Sequence, residues 1–134
     1  MNPKKHWIFS TKLDLNETRR IASSTVPGKV RGGVWQAAGR TTTPEGVEAD
    51  VFVFEPGMLA SMSRQGRHAA GNELSLGYYP DDADPSRTIC EMWMSRRKSV
   101  GWSTAMEPAI KQRLRSVRDA LQSADPSLQV ESMR

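Results

Sequence analysis

The chain has 134 residues, with 19 Lys and Arg against 15 Asp and Glu and a formal net charge of +4. That length suits one domain with a core large enough to need no covalent staple. A single cysteine, Cys90, excludes an internal disulfide and a CxxC motif, and the longest apolar run, Val51-Phe52-Val53-Phe54, is far too short to span a membrane.

Residues 6–13 (HWIFSTKL) alternate, with Trp7, Phe9, Thr11 and Leu13 on one face, and predict a first strand. His6, Ser10 and Lys12 break the apolar run that a secretory leader would need after Lys4 and Lys5, so a cytoplasmic chain is expected. Asp14 and Glu17 have the spacing of a helix cap, and Pro27-Gly28 is a stop. They frame a short helix over 15–24 whose apolar set is Leu15, Ile21 and Ala22. Four strands are predicted next, over 31–40, 48–55, 73–79 and 87–97. Their breaks are Thr43-Pro44-Glu45-Gly46, Pro56-Gly57, and Pro80-Asp81-Asp82 through Pro85. Within 57–72, Met58, Leu59 and Met62 suit a helical turn, whereas Gly66 and Gly71 suit irregular chain. Cys90, between Ile89 and Met92, reads as a small buried hydrophobe.

The last helix has the strongest pattern. Met106, Ile110, Leu114, Val117, Leu121 and Ala124 lay one apolar stripe at helical spacing. Thr104 and Glu107 form a capping box, which places Pro108 in the first turn, and Asp125-Pro126 ends the helix. The tail 127–131 alternates and suits a short edge strand.

The order β-α-β-β-β-β-α packs most simply as an α+β domain, an antiparallel sheet of about five strands carrying both helices on one face. It resembles helix-grip domains, and that resemblance implies a carrier holding a small apolar ligand under the long C-terminal helix.

Each strand has two faces. Cys90, Met92 and Met94 oppose Ile89, Glu91, Trp93 and Ser95; Phe52 and Phe54 oppose Val51 and Val53. A half-exposed strand would carry polar residues on its wet side, and these two carry few. Trp35, between Gly33 and Ala37, adds another large ring. With the helices on one face, the other needs cover from 57–72, a second copy of the chain, a bound apolar ligand or curling of the sheet. Bringing Trp93 alone out of water gains roughly 2–4 kcal/mol. Trp35, Trp93 and Trp102 are the candidate apolar contacts.

EMWMSRRKSVGW, residues 91–102, concentrates the polar chemistry. Arg96, Arg97 and Lys98 precede a helix N-terminus where Ser103 and Thr104 add hydroxyls. Two readings stand: an anion site, or a solvated strand end before a self-capped helix. From Arg96 to Arg118 seven cations, Arg113 among them, face one acid, Glu107. Lys111, Arg115 and Arg118 flank the apolar stripe and could track phosphates, with Trp102 to stack a base, or form a solvated face. No RNP-like aromatic run, GxxG loop or paired zinc ligands are present. His6 and His68 stand in no metal-binding spacing, and Asp81-Asp82-Ala83-Asp84 reads as a turn. No catalytic residue, metal or cofactor is assigned. The leading expectation is a non-enzymatic binding or assembly module, a homodimer or accessory subunit, using the apolar sheet face and the Arg96–Arg118 surface. A nucleic-acid binder using the basic helix flank is the alternative, followed by the apolar-ligand carrier.

Overall fold

The computed structural model describes residues 6–30, 33–57, 73–96 and 102–133, with the backbone alone for 6, 56, 95–96, 102–110 and 132–133. Its elements are β1 (His6–Thr11), α1 (Leu15–Thr25), β2 (Gly28–Val30), β3 (Gly33–Thr42), β4 (Glu48–Pro56), β5 (Glu73–Pro80), β6 (Thr88–Arg96), α2 (Trp102–Ala124) and β7 (Gln129–Met133). All strands pair antiparallel in one sheet of order β2-β3-β4-β5-β6-β1-β7. The fold is α+β as expected, but the sheet has seven strands rather than about five.

Both additional strands are short edges. Gly28–Val30, read from sequence only as a helix stop, folds back on Gly33–Trp35. The tail pairs with β1, opposite β6. α1 carries the chain from β1 to the far edge, and the β2–β6 meander returns it to the other side of β1. Register shifts at Ile8/Phe9, Ala37/Gly39 and Glu73/Leu74 bend and twist the sheet. Gly39 takes φ +110° at the second of these, a conformation that L side chains rarely adopt.

The core lies between the helices and one sheet face. Trp7, Phe9, Phe52, Leu76 and Met92 project from the sheet; Ala22 and Val26 of the α1 region and Leu114, Val117 and Leu121 of α2 meet them. Asp14 caps α1 as its spacing predicts, accepting from the Glu17 amide at 2.7 Å. The buried row of this helix is Thr18, Ala22 and Val26, whereas Leu15 is 38% exposed. Thr18 tolerates burial because its hydroxyl donates to the Asp14 carbonyl at 2.8 Å. Cys90 is fully buried, which pushes its thiol up to about 12, with Glu91 adding to the rise.

Two expectations about α2 change. The helix starts at Trp102, so Pro108 is its seventh residue, and Thr104 lies within the helix rather than capping it. The missing proline amide removes one helical bond there. The apolar stripe ends at Leu121: Ala124 is exposed, and the next buried residue is Asp125. No helix among the described residues is long and apolar enough to cross a membrane. Residues 58–72, which could cover the reverse sheet face, lie outside the described residues.

Candidate functional site

At one end of the core face, the row of apolar side chains gives way to charge. Asp50 follows the same alternation as Phe52 and Phe54, so its carboxylate points toward the helix side. It is only 9% exposed. Arg19 of α1 grips it with two bonds, Nε at 3.2 Å and Nη2 at 3.3 Å. Arg40, its register partner on β3, approaches with Nε at 3.6 Å. A buried carboxylate persists here because two guanidinium groups offset its loss of hydration.

These residues line an open cleft of about 340 Å³, bounded by the start of α1, the β3–β4 turn and the end of β5. The turn follows its sequence chemistry. The Gly46 amide donates to the Thr43 carbonyl at 2.8 Å, and Gly46 holds φ +85°, which closes the hairpin after Pro44-Glu45. Val47 and Leu15 supply apolar wall. Tyr78 also lines the cleft, in phase with Leu74 and Leu76 on β5, and is 6% exposed. Its buried hydroxyl lies beside the Asp50 carboxylate. Burial above all, with Cys90 and the charge and hydrogen bond of Asp50 adding, pushes its pKa far above an ordinary tyrosine, so it remains a neutral phenol. The cleft thus offers an open guanidinium and a short apolar wall.

The cleft residues were missed in the sequence. The available signal was a polar residue in phase with a core row: Asp50 ahead of Phe52 and Phe54, and Tyr78 after Leu74 and Leu76.

The residues singled out from the sequence do not converge on this cleft. Trp35 is 1% exposed and packs edge-on against Phe54, with ring centroids 5.4 Å apart at 62°. It faces the helices, not the reverse of the sheet. Trp93 does lie on the reverse face, half-buried, its ring close over Gly77; a Cβ there would meet the ring at 3.1 Å. Arg96 ends β6, paired in register with Glu73, while Arg97 and Lys98 lie outside the described residues. Trp102, Ser103 and Thr104 open α2, and their side chains also lie outside the described set.

On α2, Lys111 and Arg115 are exposed, whereas Arg118 is half-buried with Nη2 3.1 Å from Asp119. Arg113 leaves the basic face entirely. Its Nη1 donates to the Thr25 carbonyl at 3.1 Å and its Nη2 to the Lys29 carbonyl at 3.0 Å, tying α2 to the end of α1 and to β2. The Asp81–Asp84 stretch forms a turn: Asp81 accepts from the Ala83 amide, and Asp84 from the Ser86 amide and hydroxyl. Among the described residues, no three His, Cys, Asp or Glu side chains converge to hold a metal ion.

No model of a known protein family matches this chain, and no curated protein matches it.

Proposed function

We propose that this chain is a non-enzymatic binding module whose ligand site is the cleft between α1, the β3–β4 turn and the end of β5. The observation that carries this reading is the cleft itself, about 340 Å³, where the largely exposed Arg40 stands among apolar and polar wall residues. The exposed Leu15 at the same cleft gives a ligand apolar contact that folding alone does not use.

Amide NMR of the full chain against a panel of small organic molecules tests it. A ligand should shift amides at 15–19, 46–50 and 78–80 together. If no compound shifts those amides at millimolar concentration, the reading fails.

A second reading, self-association, is favoured by the reverse of the sheet. There Val51 and Val53 of β4 and Trp93 of β6 are half-buried, around a fully buried Ser75. A second copy of the chain is the proposed occupant. Light scattering should report a mass near twice that of the chain, at both low and high salt, because apolar contact is not screened. A constant monomer mass across a wide concentration range would reject this second reading.

A further inference from the structure

We infer that β7 is a detachable strap: it leaves β1 as a unit while both helices and the other six strands stay folded, and so bares the outer edge of β1. β7 pairs with β1 alone, at one edge of the sheet. Its ladder is interrupted, because the register shift at Ile8/Phe9 leaves Glu131 without a register partner. Gln129, Val130 and Glu131 are all exposed, and no described side chain of β7 belongs to the core or packs against it. β2, the other short edge, differs, since its Val30 packs against the core. Val130 keeps 43% of its surface although it lies opposite the fully buried Phe9. Detaching β7 therefore gives up little apolar contact.

The side-chain bonds that fasten this part of the chain stop short of the strand. Asp125 accepts from the Thr11 hydroxyl, the Lys12 amide and the Ser127 hydroxyl, and Arg87 donates to the Ser127 carbonyl. Among the described residues, no side-chain hydrogen bond involves residues 128–131. The hinge is thus fixed at Ser127, and Leu128 packs against the core just beyond it. From Gln129 onward, the backbone ladder to β1 is what holds the strand. A five-residue edge held in that way lies at the low end of local stability, whereas the core opens only with the whole domain.

Amide hydrogen exchange of the full chain across a series of sub-denaturing urea concentrations tests the strap. The hydrogen-bonded amides of 129–133 should exchange roughly 100-fold faster than those of Leu76 and Met92. Their rates should hardly respond to urea, because detaching one edge exposes little surface, while the core amides should accelerate with the slope of global unfolding. The double variant Gln129→Pro/Val130→Pro removes one ladder bond, since successive strand amides point alternately to β1 and to solvent. It should abolish protection at 129–133 and lower protection at Leu76 and Met92 by less than about twofold. Protection at 129–133 equal to that of Leu76 and Met92, with the same urea slope, would place β7 in the single cooperative unit and overturn the inference. A comparable loss of core protection in the proline variant, or its failure to fold, would overturn it as well.

Discussion

Asp125→Ala should lower the unfolding free energy by about 3 kcal/mol, measured by urea denaturation at neutral pH. The expected size follows from the position of the carboxylate. It sits one residue beyond α2, 6% exposed, at the negative end of a helix dipole where an acid is ordinarily unfavourable. Four donors compensate. Oδ2 accepts from the Thr11 hydroxyl and the Lys12 amide, both at 2.8 Å; Oδ1 accepts from the Ser127 amide at 3.0 Å and the Ser127 hydroxyl at 2.6 Å. One carboxylate therefore locks the end of the long helix to the end of β1 and starts the turn into β7. Alanine leaves all four donors without an acceptor, and the Thr11 bond is buried, beyond easy rescue by water.

The same group makes stability depend on pH. Burial, the largest single influence, raises its pKa, but the bonds from Ser127, Lys12 and Thr11 together hold the carboxyl well below the ordinary range. A depressed folded-state pKa contributes stability that is complete above the unfolded value, about 3.9 for aspartate. That contribution fades as pH falls from there through the folded value. Asp125→Asn keeps one acceptor oxygen and should lose about half as much stability as alanine at pH 7. Between pH 5 and pH 3 the variant should fall less steeply than the parent. Parallel slopes would show that Asp125 is not the titrating lock.

Arg87→Met should lower the unfolding free energy by about 2–4 kcal/mol, even though methionine preserves much of the buried stem. Arg87 is 7% exposed and makes no ion pair among the described residues. Its Nε donates to the Ser10 hydroxyl at 2.8 Å, and its Nη2 donates to the Ser10 carbonyl at 2.8 Å and the Ser127 carbonyl at 3.2 Å. The Ser10 hydroxyl in turn donates to Asp81 at 3.2 Å, so the charge reaches a carboxylate through one hydroxyl. Losing the guanidinium removes the donor that joins the Ser10 and Ser127 carbonyls near the β1–β7 junction. Arg87→Lys should not restore stability, because one ammonium cannot reproduce a planar fork with three acceptors. Ser127 touches both Asp125 and Arg87, so a double-mutant cycle should give a coupling of about 1 kcal/mol or more. Additive losses would separate the two into independent locks.

Particular residues explain how much was legible in advance. Phe52 and Phe54, or Met92 and Met94, carry a period of two that names both the strand and its core face. Leu114, Val117 and Leu121 do the same for a helix at a period of 3.6. The three-residue edge β2 showed no pattern, since so few residues hold no period and pairing alone makes it a strand; the tail that becomes the five-residue β7 did alternate. The basic run of α2 shows a second limit. Sequence counts Arg113 with Lys111 and Arg115, yet only packing reveals that Arg113 turns inward to two carbonyls. Sequence also offered Arg96–Arg118 as the place for chemistry, whereas the cleft gathers Arg19, Arg40, Asp50 and Tyr78 from four separate elements.

By itself the sequence determined the α+β class, the helix cap at Asp14, the β3–β4 turn and the apolar rows that become the core. Each depends on residues adjacent or one turn apart, where backbone geometry and hydropathy act locally. Tertiary structure alone decided strand order, the locks at Asp125 and Arg87, and the cleft. Arg19 and Asp50 in the cleft are 31 positions apart, and Thr11 and Asp125 in the lock 114. A polar side chain can be buried only when distant partners arrive to satisfy it, and no local pattern records which partners those will be.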